Sequence, residues 1–326
     1  MKKLKSLLAA SLMVFGVSAG ASAAYPDKAV RWVVPFPAGG GTDIVARLLT
    51  QTMGEQMGAT FVVENKPGAG TMIGADVIAR ARPDGYTVGT VDVSTVALNP
   101  SLYSEVRYDA LKDFRYIGGT TKFPFVLVVN LNVPAKNLQE LMDLARQSPG
   151  KLTYATPGAG GPNHLGMELF QKTAGLKLLH IPYRGDAPAL QDLMGGQVDM
   201  YLVNTAASLP YIQSGKVRPI AIAMTERSKA LPDVPTFSEA GLPGFEAYAW
   251  QGLAAPADTP DEVVKRLSEA LDAALATPEV TQRLFDLGVE PFKLSPEAFT
   301  EHVKTQGALW GQIIREAGIT LESEKK

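Results

Sequence analysis

The chain has 326 residues, with 31 Lys and Arg against 33 Asp and Glu, 46% hydrophobic residues and no cysteine. A near balance of charge without a basic stripe argues against nucleic acid and an anionic membrane surface as partners. The missing cysteine excludes disulfides, a thiol nucleophile and lipid attachment at a processed N-terminal cysteine.

Lys2, Lys3 and Lys5 precede an apolar segment, Leu7 to Val17, and Ala21-Ser22-Ala23 supplies a small-x-small cleavage site. This pattern predicts a secretory signal peptide over residues 1–23, cleaved before Ala24. The apolar segment is too short to anchor in a bilayer, and no other run is long enough to span one. Losing the three leader lysines takes the net charge from −2 to −5, that is, 28 basic against 33 acidic residues. A periplasmic protein without a lipid anchor is expected. About three hundred remaining residues exceed one comfortable core, so two lobes are expected.

Val30, Trp32, Val33 and Val34 form a short apolar run of strand character, which Pro35 and Pro37 end. Gly39, Gly40 and Gly41 follow, and Thr42 with Asp43 opens an amphipathic helix through Ile44, Val45, Leu48, Leu49, Met53 and Met57. A strand, a loop of glycines and a helix start leave backbone N–H groups pointing outward beside a positive dipole end, which suits an anion. The bland alternative is an ordinary connection with Thr42 as N-cap and Asp43 complementing the dipole. Thr60 to Asn65 is the second strand. After the loop Lys66 to Thr71 comes a helix with Ile73, Val77, Ile78 and Ala81 on one face, ended by Arg82-Pro83-Asp84-Gly85. Gly68-x-Gly70-x-x-x-Gly74 has one residue too many for a dinucleotide fingerprint, and close helix–sheet packing accounts for it better. Tyr86 to Val93 is the third strand, followed by Ser94, Thr95 and a turn at Asn99-Pro100. The order βαβαβ implies a parallel sheet with right-handed crossovers. Ligands of such sheets sit beyond the carboxyl ends of the strands, where Phe36 to Thr42 and Ser94-Thr95 fall.

Phe114 to Asn130 is a β-rich stretch interrupted by Gly118-Gly119 and Pro124, and from here the pattern restarts. Leu138 to Ala145 is helical and Lys151 to Thr156 a strand. Pro157-Gly158-Ala159-Gly160-Gly161-Pro162-Asn163-His164 then repeats the opening architecture, a glycine loop opening a helix through Leu165, Leu169 and Phe170. Leu178 to Tyr183 is a strand, Arg184-Gly185-Asp186 a turn, Ala187 to Met194 a short helix, and Val198 to Val203 and Pro219 to Met224 are strands. Ser228 to Phe245, with Pro232, Pro235 and Pro243, reads as an irregular surface crossing. Tyr248 to Leu253 is β-like and marks a return to the first lobe. Pro260 to Ala276, Pro278 to Leu287 and Pro296 to Ala317 are helices with proline at or near the first turn. The restart and the late return put one domain at residues 25–123 plus 248–326 and the other at 124–247.

Catalytic chemistry is hard to find. There is no Gly-x-Ser-x-Gly elbow and no His-Glu-x-x-His helix, and no two of His164, His180 and His302 have metal-ligand spacing. His302 is expected to be solvated and His180 to be a satisfied strand residue. His164 starts the second glycine-loop helix, where pocket lining and helix-start packing are both open. Asp186, Asp192 and Asp199 lie on a turn, a helix and a strand and define no carboxylate pair. Phe36, Tyr183 and Trp250 stand near strand ends, as core residues or as an apolar cleft wall. Arg184, the cation beside a candidate pocket loop, reads either as an exposed turn residue or as an anion contact. No catalytic residue, metal or cofactor is expected.

Several runs carry a resemblance. Tyr25-Pro26, Phe36-Pro37-Ala38-Gly39-Gly40-Gly41-Thr42-Asp43, Glu64-Asn65-Lys66-Pro67-Gly68-Ala69-Gly70 and Asn99-Pro100-Ser101-Leu102-Tyr103 belong to it. So do Ala155-Thr156-Pro157-Gly158-Ala159-Gly160, Pro182-Tyr183-Arg184-Gly185, Gly195-Gly196-Gln197-Val198-Asp199, Val234-Pro235-Thr236 and Glu239-Ala240-Gly241-Leu242-Pro243-Gly244. Across the chain downstream of the leader, in order, the sequence resembles the Bug-type solute receptors of the tripartite tricarboxylate transporter family. The resemblance implies an α/β, two-lobed periplasmic binding protein of Venus-flytrap, type II-like form, each lobe a mostly parallel sheet flanked by helices. It implies a monomer that captures a small organic carboxylate, whether a dicarboxylate, an acidic amino acid or an aromatic acid. Its partners would be two membrane components of a tripartite transporter, or a membrane sensor in a signalling version, with an exported enzyme on the same fold as the remaining alternative.

By the family's pattern Phe36, Ala38, Gly40, Thr42, Ser94 and Thr95 face the ligand from the first lobe. Thr156, Gly158, Gly160, His164, Arg184 and Gly185 face it from the second, and Gly39, Asp43, Gly161 and Asp199 complete the expected ligand-binding set. The glycine loops point to N–H groups of Gly39 to Thr42 and Gly158 to Gly161 as the anion's main contacts, ahead of any cationic side chain. Two departures bear on selectivity. Asp186 stands where the family commonly has glycine, and Val203 where it often has aspartate.

Overall fold

A computed structural model of the protein describes residues 25–321, so the expected leader and cleavage site lie outside the described residues. Strand β1 (Val30–Val34) lies parallel between β2 (Phe61–Asn65) and β3 (Thr87–Asp92). All of its residues except Arg31 are buried, as its apolar run requires. Helix α1 (Gly41–Met57) crosses from β1 to β2 and stops where Gly58 adopts φ 61°, a left-handed C-cap. A short 3₁₀ turn (Ala69–Thr71) and α2 (Met72–Ala79) cross from β2 to β3. Beyond β3 the expected simple turn is instead a π-helical turn (Ser94–Leu98) running into α3 (Asn99–Leu102), with Pro100 in its first turn, where it removes no intrahelical bond.

The β-rich stretch is one strand, β4 (Phe114–Val129), not a broken one. Its first half pairs antiparallel with β9 (Tyr248–Pro256) and β10 (Glu290–Leu294), and its second half with β7 (Met200–Asn204) and β8 (Arg218–Ile222). Gly118 and Gly119 do not interrupt it; they accommodate β10. A Cβ on Gly119 would stand 2.4 Å from the Phe292 carbonyl and one on Gly118 2.8 Å from that of Leu294. The first sheet therefore runs β2-β1-β3-β9-β4-β10.

The second half of the chain adds α4 (Leu138–Gln147), β5 (Thr153–Thr156), α5 (Pro162–Ala174), β6 (Leu179–Pro182), α6 (Asp186–Met194) and α7 (Thr205–Gln213). Here β5 lies parallel between β6 and β7, and the second sheet runs β6-β5-β7-β4-β8. The architecture is the two-lobed α/β form of periplasmic binding proteins. The chain passes between sheets along β4, where Phe123 pairs with Ala249 and Phe125 with Asn204. It returns at Ala247, whose N–H still bonds Ala223 of the second lobe. The tail of the chain covers the first sheet with α8 (Asp261–Ala276), α9 (Pro278–Asp286) and α10 (Pro296–Ala317).

Apolar clusters cover both faces of each sheet. In the first lobe Val30, Trp32 and Leu49 pack with Leu267 and Leu271 of α8, while Val33, Val91 and Trp250 pack with Phe299 and Trp310 of α10. Two readings are corrected here, and two elements are new. Ser228 to Phe245 is no mere surface crossing, because Phe237 and Phe245 are buried and their rings lie 5.5 Å and 5.9 Å from that of Phe170. His302 is not solvated; its ring lies 4.8 Å from Trp250 and 5.0 Å from Phe292, and burial pushes its pKa down to about 4. Helix α7 and strand β10 were not legible, since Pro210 sits inside the one and Pro291 inside the other, an edge strand that tolerates it.

Candidate functional site

In each sheet the central parallel strand, β1 or β5, has neighbours whose connections leave in opposite directions. The switch point beyond its carboxyl end is where ligands of such sheets bind. Helices α1 and α5 start there. Gly40, the N-cap of α1, is extended (φ −78°, ψ 167°) and offers no side-chain cap; Gly161, the N-cap of α5, matches it (φ −76°, ψ 170°). The first-turn N–H groups have no intrahelical acceptor. Pro37 to Gly41 is exposed, whereas Thr42 and Asp43 are buried.

Asp43 does not stand free to meet a ligand. Its carboxylate accepts from Gly39 N (2.9 Å), Asn65 Nδ2 (2.9 Å) and Arg47 Nε (3.0 Å), and Asn65 also donates to the Phe36 carbonyl (3.0 Å). Burial pushes the Asp43 carboxyl up, but those donors outweigh it and hold it below the usual carboxylate range. Thr42 accepts from Gln251 Nε2 at 2.5 Å, tying the turn to β9. Both side chains fix the loop, and the Gly39 N–H, expected to meet the anion, is spent on Asp43.

The second loop is fixed in the same manner by different chemistry. His164 Nδ1 accepts from Gly160 N at 3.0 Å, which places the ring proton on Nε2, 3.6 Å from Glu168 Oε1. Its ring stacks on that of His180 (4.0 Å, 15°), which stacks on Tyr154 (5.0 Å). Thr156 donates to the Gly158 carbonyl (3.0 Å), so its oxygen accepts from His180 Nε2 (2.6 Å). Burial pushes both histidines down to about 4. Gly185, at φ 111° the N-cap of α6, donates to the Pro157 carbonyl (3.1 Å) and brings the third turn alongside. Tyr183 donates to Asp192 (2.8 Å); burial and that bond push it up to about 12. Arg184 is exposed and makes no ion pair among the described residues. The Asp186 carboxylate accepts from the Tyr201 hydroxyl.

Beyond β3, Thr95 is fully buried and its side chain is spent within the protein. It donates to Asp92 (2.5 Å) and meets Thr71 (2.8 Å), while Asn99 donates to the Gly70 carbonyl (2.7 Å). Burial pushes the Asp92 carboxyl up, against the hydrogen bonds from Thr95 and Ser94. Thr71 holds φ 80°, rare for a β-branched residue, and this network pins it. Ser94, half-buried, also hydrogen-bonds Asp92.

The structure thus brings Phe36 to Asp43, Ser94 and Thr95 to one carboxyl edge, and Thr156 to His164, Arg184 and Gly185 to the other. Asp199 does not join them. It precedes β7, at the opposite end of the sheet, and its carboxylate accepts from Thr153 N (2.7 Å) and Oγ1 (2.8 Å) to tie β7 to β5. Sequence reasoning missed Gln251, Thr71 and Asn99 as supports; only Asn99 lay in a quoted motif with a recognisable turn. No group of three or more His, Cys, Asp or Glu among the described residues could hold a metal ion, and no helix among them is long and apolar enough to cross a membrane.

The chain is similar to several known proteins. Residues 45–319 match the model for the tripartite tricarboxylate transporter family receptor. Protein BugT of Bordetella pertussis is 33% identical over 324 residues, covering 99% of each chain. The structure of Rhodopseudomonas palustris Rpa4515 with adipate superposes with TM-score 0.77 at 35% identity, over 91% of this chain and 99% of that one. MatC of the same organism, with bound malate, gives TM-score 0.72 at 34% identity, over 89% and 100%. With that family model spanning most of the chain, and relatives above 30% identity along nearly its whole length, the protein belongs to the receptors of the tripartite tricarboxylate transporter family.

Proposed function

We propose that this solute-binding receptor captures a small dicarboxylate between its lobes, without turning it over, and presents it to two membrane components of a tripartite transporter. The feature that supports the ligand class is the pair of glycine-capped helix starts, one at the carboxyl edge of each sheet. The first-turn N–H groups, of Gly41 to Asp43 in α1 and of Asn163 and His164 in α5, whose first residue Pro162 has none, lack an intrahelical acceptor. Each start suits one carboxylate. Adipate and malate in two relatives are both dicarboxylates, which supports the same class here. Charge-assisted hydrogen bonds contribute about 1.5–3 kcal/mol each, and micromolar affinity needs about 8 kcal/mol, so four or five such bonds suffice. On this reading Phe36, Ala38, Gly39 to Thr42 and Ser94 line one wall, and Thr156 to Gly161, Arg184 and Gly185 the other. The lobes are residues 25–123 with 248–326 and residues 124–247, hinged along β4 and β9, and the leader delivers the product to the periplasm.

Calorimetry with a panel of mono- and dicarboxylates of two to eight carbons, adipate and malate included, tests the ligand class. Dicarboxylates are expected to bind at micromolar concentration and monocarboxylates at least tenfold more weakly. X-ray scattering with the best binder is expected to show a smaller radius of gyration. Equal affinity for mono- and dicarboxylates of one length, or no binding across the panel, would overturn the reading.

A further inference from the structure

The two glycine turns are built to one plan. Ala38-Gly39-Gly40-Gly41-Thr42-Asp43 aligns position for position with Ala159-Gly160-Gly161-Pro162-Asn163-His164. Gly39 and Gly160 both take left-handed backbone, φ 80° and φ 75°, and the following glycine is in each case the N-cap. Three residues beyond the N-cap a side chain reaches back to accept the left-handed glycine's N–H, at 2.9 Å for Asp43 and 3.0 Å for His164.

The copies differ in charge. Asp43 is a carboxylate whose charge is met on the spot by Arg47 and Asn65. His164 accepts through Nδ1 and is therefore neutral. It faces the rings of His180 and Tyr154, and Glu168, whose Oε1 accepts from Tyr154 (2.6 Å) and Gln171 (3.0 Å). Among the described residues no cation pairs with it in the way Arg47 pairs with Asp43. An acid at position 164 would make the same hydrogen bond, as Asp43 demonstrates, and would favour the helix dipole. It would also set an unpaired negative charge directly under the turn that meets the ligand.

We propose that His164 is a positioning and specificity-determining residue of the receptor. It holds the Gly158–Gly161 turn through Gly160 N–H with a neutral acceptor, and so sets no negative charge directly beneath that turn, where one would repel a bound carboxylate. This rests on the receptor reading above, and it assigns His164 a role without ligand contact.

Three variants separate the parts. His164→Asn and His164→Asp both offer an oxygen where Nδ1 stands and lose the stacking equally, so they differ in charge alone. His164→Leu keeps bulk and removes the acceptor. With adipate and malate as probes, His164→Asn should bind within about threefold of the parent. His164→Asp should bind about tenfold or more weakly at low salt, with the gap closing as salt is raised. Amide hydrogen exchange without ligand gives a second readout. Gly160 N–H should stay protected in the parent, Asn and Asp forms and lose protection in His164→Leu. Hydroxide-catalysed exchange at Gly161 and Asn163, itself an encounter with an anion, should be several-fold slower in His164→Asp than in His164→Asn. Equality of the Asp and Asn forms in either measurement overturns the charge assignment; a protected Gly160 in His164→Leu overturns the positioning one. If neither acid binds the parent, the dicarboxylate reading fails while the exchange comparison still decides the role of His164.

Discussion

Replacing Gly40 or Gly161 with valine asks whether backbone N–H groups or a cationic side chain hold the ligand. These two glycines are chosen because they tolerate a side chain. Both have extended backbone, and a Cβ on Gly161 meets nothing within 4 Å while one on Gly40 meets only the Pro37 carbonyl at 3.5 Å. Gly39 and Gly160 would mislead, since each holds positive φ, and a Cβ on Gly160 would stand 2.5 Å from Leu321 Cδ1. A valine at the N-cap stands over the first-turn N–H groups, and a carboxylate must approach those to about 2.7–2.9 Å. Losing one or two such bonds, at about 1.5–3 kcal/mol each, weakens binding by tenfold to several hundredfold or more. The helix itself loses only a few tenths to about 1 kcal/mol. Arg184→Ala should cost less than about tenfold, or about 1.4 kcal/mol. Calorimetry with the dicarboxylate selected from the panel, on variants shown by circular dichroism to be folded, makes the comparison. Loss of binding in Arg184→Ala alongside full binding in Gly40→Val and Gly161→Val would refute the reasoning and make the site a conventional ion pair.

Stability should fall with acidity through the histidines. His164, His180 and His302 are pushed by burial to about 4, so between an unfolded value near 6.5 and that value only the unfolded chain takes up their protons. Stability is then full above about pH 6.5 and lost towards pH 4, with a slope of at most about 4 kcal/mol per pH unit, and an unchanged melting temperature across this window would contradict it. Gly252→Ala should destabilise by about 1–3 kcal/mol or more, because its Cβ would stand 2.0 Å from Phe299 Cζ and 2.7 Å from the Gly118 carbonyl. Gly307→Ala, in open space inside α10, should instead stabilise by about 0.5–1 kcal/mol, and denaturant unfolding of the pair reads both signs.

The strands and helices that carry the candidate site were legible because their local signals agree. The apolar run of β1, the glycines behind it and the spacing of α1 all point one way, and the same holds around β5. Prolines concealed α7 and β10, where surrounding structure overrides a local preference. Site positions were legible as backbone and less so as side chains. Asp43, Thr42 and Thr95 have residue types that suit ligand contact, but their partners are Gly39, Gln251 and Asp92. Gln251 lies 209 residues from Thr42, a distance no periodicity spans. Asp199 fell at the wrong end of its strand because a motif gives sequence position and not the direction in which a strand runs.

Strand β4 belongs to both sheets, and this has a consequence for the order of folding. The first sheet is incomplete until β9 arrives, because Gly89 to Asp92 of β3 pair with Gln251 to Ala254, on the far side of the whole second lobe in sequence. Until then β3 presents an open edge, and so does the first half of β4, which waits for β9 and β10. The second sheet needs only β4 to β8, which are contiguous. The lobe that leaves the ribosome first is thus the one that closes last, after a loop closure of high contact order. Pulse-labelled hydrogen exchange during refolding should show β5 and β7 amides protected ahead of those in β1 and β3.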